Sequence, residues 1–229
     1  NSPIPNSPIP KFPNSQIMTG NLFENTSLDT AIAALKNDLL DPGSPKISTM
    51  RNYRFAILQY DPREEYKLRD RIRKLTDELK SQGWNVLSVS LKSLFLNRLK
   101  KEDTRLLDSI IRTEKRLYDK EPDRGINHLK DKISLYIEGA DGIAQDVINL
   151  INDFTNQQPE KADHTLILLE RAGSLYPFFR SSALLKHIDG KTNNLPVVLL
   201  YPGERRDLNA LSFMGELPAD RDYRPRIYS

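Results

Sequence analysis

The chain has 229 residues, 38% of them hydrophobic and 28% charged, so it is long enough for one sizeable core or two small ones. Its 34 basic and 31 acidic residues leave a formal net charge of +3 and a pI near 8.9, too balanced to mark a nucleic-acid binder without a clustered basic face. The absence of cysteine excludes disulfides, thiolate zinc sites, iron–sulfur clusters and a cysteine nucleophile.

The first segment, Asn1 to Ile17, carries five prolines and repeats Asn-Ser-Pro-Ile-Pro. Proline at that density forbids helix and central strand, so residues 1–24 are expected to be disordered. Met18 is a candidate start, with the repeat then a translated upstream segment. No apolar run reaches the length that spans a bilayer, and the N-terminus lacks the order of a secretory signal. A cytoplasmic protein without a membrane partner is the expectation.

Residues 25–229 are expected to form one α/β domain. Leu28, Ile32, Leu35 and Leu39 recur at helical spacing, with Thr26 or Ser27 as the cap and Asp41-Pro42-Gly43 as the stop. Tyr53 to Tyr60 is a short apolar run and predicts a strand. Asp61-Pro62 opens a charged helix striped by Leu68, Ile72, Leu75 and Leu79 and stopped at Gly83. Asn85 to Leu91 alternates, which suits a strand near an edge. Helical patterns near 102–118, 125–137 and 142–154 predict a helical insertion around 92–154.

His164 to Glu170 is a second continuous aliphatic strand. Ser174 is placed to cap a helix with Pro177 in its first turn. Pro196 introduces a further strand, which Pro202-Gly203 is expected to break. A short final strand is restricted by Pro225 to a sheet edge. Aliphatic strands separated by helices imply a mostly parallel sheet of about five strands covered on both faces, P-loop-like or Rossmann-like in kind.

The nucleotide motif that such a sheet usually carries is missing. Gly190-Lys191-Thr192 has Leu185 where a phosphate loop needs glycine, and it follows a helix. The turn after the first strand holds Asp61, which repels phosphate. Glu170 ends its strand as a metal-binding acid would, yet without the loop it is half a site. His128, His164 and His187 show no metal spacing, and no Gly-x-Ser-x-Gly elbow occurs. No cofactor or metal is expected. Arg171, Arg180, Arg205, Arg206, Arg224 and Arg226 would form one basic patch if the tail folds back toward the carboxyl ends of the strands.

Several pieces fall in a recognisable order. These are Tyr60-Asp61-Pro62, Gly173 with Tyr176-Pro177-Phe178-Phe179-Arg180-Ser181, then Pro196, Tyr201-Pro202-Gly203, Phe213-Met214-Gly215-Glu216-Leu217 and Tyr223-Arg224. Together, over roughly residues 25–228, they resemble the BrxB family of bacteriophage exclusion (BREX) defence systems. The chain departs from that pattern at Ser182, at Glu204-Arg205-Arg206 and at the ending Arg224-Pro225-Arg226.

The resemblance implies a non-catalytic adaptor in a bacterial antiphage complex, bound to a PglZ-like protein and to the large BREX ATPase or the methyltransferase. DNA would then be met through the complex. Candidate partner-binding residues are Asp61, Glu170, Arg171, Tyr176, Phe178, Arg180, Arg205 and Arg206. The alternatives are a DNA-binding accessory module of the same complex, and a divergent nucleotide hydrolase or nuclease using Asp61 and Glu170.

Overall fold

The computed structural model describes residues 27–41, 47, 54–207, 210–219 and 225–229. The proline-rich start, the Thr26 cap, Tyr53, the Pro42-Gly43 stop and Tyr223-Arg224 lie outside the described residues.

Among the described residues six strands build the sheet. They are β1 (Phe55–Tyr60), β2 (Asn85–Ser90), β3 (Thr165–Glu170), β4 (Val197–Asp207), β5 (Ala210–Phe213) and β6 (Arg226–Tyr228). The spatial order is β2-β3-β4-β1-β6, with every pair parallel; β5 joins β4 antiparallel. The expected mostly parallel α/β sheet is therefore what the chain forms. The half-buried alternating strand β2 and the proline-preceded strand β6 occupy the two edges, where their sequences place them.

Both faces of the sheet are covered, because alternate residues of each strand supply one face. On one face Ala56, Leu58, Leu166, Leu168, Val198 and Leu200 meet α1 (Ser27–Leu39) and α2 (Glu65–Ser81). The α2 stripe Leu68, Ile72, Leu75 and Leu79 is fully engaged there. Each such burial contributes about 2 kcal/mol. Charge fastens the two helices: Arg71 Nε lies 2.6 Å from Asp29, and Lys36 Nζ 2.5 Å from Glu78. Gly83, at φ 82°, ends α2 in the left-handed region that glycine tolerates.

On the other face Ile57, Ile167, Leu169, Val197 and Leu199 meet the remaining helices. These are α3 (Leu91–Leu99), α5 (Pro122–Ile137), α6 (Ile143–Gln157) and α7 (Ser181–Ile188); α4 (Thr104–Tyr118) packs chiefly on α5. The segment 92–154 is helical throughout apart from its turns, as expected. Helix α4 buries none of its residues. Of the α5 stripe, Ile133 and Ile137 are buried while Ile126 stays exposed.

Three local expectations are corrected. Leu91 starts α3 rather than ending β2, because the Ser90 hydroxyl accepts the Ser93 N–H at 3.2 Å and caps a helix there. Ser174 does not cap a helix; Ala172–Leu175 is a single 3-10 turn and α7 begins at Ser181. Pro177 is the reason. The residue before a proline is held extended, and Tyr176 sits at φ −63°, ψ 140° before a cis peptide bond.

The third correction concerns Pro202-Gly203, which redirects β4 without breaking it. Pro202 pairs with Tyr60 at the last step of the parallel ladder, and Gly203 opens the antiparallel ladder with Phe213. A Cβ at Gly203 would collide with the Ser212 carbonyl, so only glycine allows the two backbones this approach. The second ladder recruits β5 from a stretch whose sequence predicts a loop.

Candidate functional site

Two arrangements of side chains gather near the carboxyl ends of the strands. The first lies at the ends of β1 and β3. Tyr60 donates its phenolic hydrogen to Glu65 Oε2 at 2.5 Å. Arg69 donates to Glu65 Oε1 through two nitrogens, at 2.8 and 2.9 Å, and Arg171 approaches the same oxygen at 3.4 Å. Burial, reinforced by the Glu65 carboxylate, pushes the Tyr60 phenol far above its usual range, so it remains a donor. Arg171 holds a left-handed backbone, φ 64°, which carries its side chain from the end of β3 across to α2.

Two hollows flank this network. One, of about 350 Å³, runs along α2 past Arg73, Thr76, Asp77 and Lys80 and reaches Ser88 and Glu170. The other, of about 190 Å³, lies between Arg171, Ser174, Pro62, Pro202 and Met214. Tyr60, Glu65, Arg69 and Arg171 line both. Asp61 faces neither; its carboxylate accepts the Arg63 N–H at 2.9 Å and the Arg63 side chain at 3.2 Å. The Arg63 N–H, with the guanidinium behind it, holds Asp61 below the usual carboxylate range.

The second arrangement is an aromatic recess of about 520 Å³ beside α7. Phe213 of β5 is its hub. The Phe213 ring lies 5.4 Å from Tyr201, 5.5 Å from Phe179 and 6.4 Å from Tyr176. The Tyr201 hydroxyl donates to Leu211 O, and Ser212 Oγ to Leu217 O, which fixes β5 and the chain after it. Phe178, Leu211, Leu217 and Pro218 complete the apolar walls. Lys130, Glu138 and Arg180 supply the polar rim. Glu138 Oε1 is buried and receives no hydrogen bond; Arg180 Nε comes only to 3.7 Å.

Of the residues singled out in the sequence, Phe178 and Arg180 share this recess, and Tyr176 stands at its edge, 39% exposed. Phe179, beside them, is spent on the core. Glu170 and Arg171 share the α2 hollow. Arg205 and Arg206 lie on the β4–β5 ribbon. Arg206 pairs with Glu204 at 2.8 Å, and Arg205 donates to Asp207 O and Ser229 Oγ. Arg226 goes to Asp38 at 2.9 Å. Arg171, Arg180, Arg206 and Arg226 thus each face a different carboxylate.

Phe213 and Tyr201 stand in the motifs that carry the resemblance but not among the candidate site residues, which also leave out Glu138 and Lys130 in the recess and Glu65 and Arg69 in the network. Phe213 had a signal, an apolar Ala210 to Phe213 run ahead of Met214-Gly215. Glu65 and Arg69 meet at helical spacing on α2; Tyr201, Glu138 and Lys130 reach the recess only through tertiary folding.

Among the described residues no group of three or more histidines, aspartates or glutamates is placed to hold a metal ion. Among them, too, no helix is long and apolar enough to cross a membrane.

Fold and recesses define an open, mostly parallel α/β protein, covered on both faces, whose β1 turn carries Asp61-Pro62 in place of a glycine-rich loop. The family model described as BREX protein BrxB matches residues 87–227, more than half of the chain, and the chain belongs to that family. Membership makes it a component of a BREX antiphage system. The matched span runs from β2 to β6 and includes the whole aromatic recess; Tyr60-Asp61-Pro62 lies before it. No curated protein and no solved structure matches the chain.

Proposed function

We propose that the protein is a non-catalytic adaptor that docks a partner of its BREX complex, the PglZ-like protein or the large ATPase, in the aromatic recess beside α7. The observation that carries this is the recess itself. An apolar floor large enough for a buried anchor lies under a rim of Lys130, Arg180 and an unsatisfied Glu138 oxygen. Aromatic pockets with an arginine at the rim are where interface energy concentrates. A partner residue that fills the floor and donates to Glu138 would satisfy a buried acceptor that receives no hydrogen bond in the fold.

The DNA-module alternative draws less support, because four of the arginines that would make its basic face, Arg171, Arg180, Arg206 and Arg226, stand against separate acids. The hydrolase or nuclease alternative draws less as well, since Asp61 turns to Arg63 and shares no hollow with Glu170.

Co-purification with the neighbouring BREX proteins tests the proposal. Phe178→Ala and Arg180→Glu should each weaken capture by about tenfold or more, as truncation of an interface anchor does. Unchanged capture by both variants would remove the recess from the interface.

A further inference from the structure

The smaller hollow at the sheet end has no part in that docking. The turn after β1, where sheets of this kind usually seat phosphate, carries an acid and a proline. Cationic and hydroxyl donors gather instead on the turn after β3. Arg171 takes a left-handed backbone and is followed by the right-handed 3-10 turn Ala172–Leu175, which no side chain caps. Within that turn the Ser174 N–H donates to Arg171 O at 3.2 Å, so the turn brings the Ser174 side chain and the Gly173 backbone to the hollow.

Arg69 and Arg171 line the same hollow, and Ser174 stands exposed on its wall. Pro62, Pro202 and Met214 supply apolar sides. Among the described residues the one acid lining it is Glu65, which already accepts from Tyr60, Arg69 and Arg171. The Arg171 contact, at 3.4 Å, is long and leaves most of the guanidinium's five donors uncommitted. Gly173 belongs to the wall as well; a Cβ there would press to 3.1 Å from Pro202 and narrow the hollow.

We propose that this hollow binds the phosphate of a small phosphomonoester, with Arg171 and Arg69 as its cations and the Ser174 hydroxyl as a donor. The volume of about 190 Å³ accommodates a phosphate and its ester linkage. The adjoining polar hollow along α2, about 350 Å³, takes the rest of the molecule, which makes a nucleoside monophosphate the size that fits. The ligand is held and not cleaved, since Glu65, the carboxylate among the described lining residues, is occupied. The proposal is independent of the partner recess, because the two sites share no lining residue.

Calorimetric titration of the full chain with adenosine monophosphate, and separately with adenosine, tests this. The monophosphate should bind, adenosine should not, and inorganic phosphate should displace the monophosphate. Arg171→Gly should weaken binding by about tenfold or more, the worth of a charge-assisted hydrogen bond. Glycine suits φ 64°, so that variant is expected to fold, which circular dichroism checks. Should it not, Ser174→Ala, expected to weaken binding severalfold, decides in its place. Absence of binding by the monophosphate, equal binding of adenosine, failure of phosphate to compete, or full affinity in the deciding variant would overturn the assignment.

Discussion

Tyr228, next to last in the chain, donates its hydroxyl to Asp38 of the first helix at 2.7 Å. The same carboxylate receives Arg226 at 2.9 Å, so the edge strand β6 and α1 are tied at a single acid. The tie closes the described sheet on the β1 side. Tyr228→Phe should therefore destabilise the protein by about 1 kcal/mol, the net worth of one such bond, because Arg226 still satisfies Asp38. Urea unfolding would show a lower midpoint at unchanged slope.

Tyr60 and Tyr228 predict a common response to base. Burial comes first as the cause for each, followed by the hydrogen bond to Glu65 or Asp38, and both phenols are raised well above 10.0. A group whose folded value is raised stabilises fully below its unfolded value and loses that stability as pH climbs through the folded one. Stability should thus hold to about pH 10 and fall beyond it. Tyr60→Phe should flatten the alkaline limb of a stability–pH curve; an unchanged limb would contradict the buried phenol.

A bidentate pair fixes the helical segment to itself. Arg98 of α3 reaches both oxygens of Asp146 on α6, at 2.5 and 3.0 Å, and also donates to Gly142 O at 2.6 Å. Both side chains are about three-quarters covered. Arg98→Ala should cost about 2 kcal/mol, since it strands a partly buried carboxylate and the Gly142 carbonyl. Thermal unfolding would report the loss.

Gly203→Ala tests the redirection of β4. The added Cβ meets backbone, which cannot swing aside. A cost of about 1–3 kcal/mol is expected, as for overpacking elsewhere. It should be accompanied by faster amide exchange across the β4–β5 ribbon and by weaker capture of the BREX partner, because Phe213 would move.

Much of this architecture was legible in the sequence. The aliphatic runs at β1, β3 and β4, the alternation in β2, and the 4-3-4 spacing in α1 and α2 each have a local cause in side-chain period, so the layers followed from pattern. The Glu65–Arg69 and Asp70–Lys74 pairs, each four residues apart on α2, close at 2.8 and 3.0 Å. The β4–β5 ribbon was not legible, because Pro202-Gly203 reads locally as a break and only the facing Ser212 reveals why glycine is there. The reach of Arg171 to Glu65 spans 106 residues and depends on a left-handed backbone at a non-glycine position. Of the candidate residues, Phe178 and Arg180 meet because they are neighbours in sequence. The residues that make their surroundings a recess arrive from β4, β5 and α5.

Helix α4 touches neither core of the sheet and leans on α5, where Gly125 lets the backbone of Tyr118 come close. Its outer apolar residues Leu106, Ile111 and Tyr118 remain open to solvent. Substitution along that outer flank leaves the strands and both cores untouched. The arm therefore has freedom to change its chemistry that the sheet lacks.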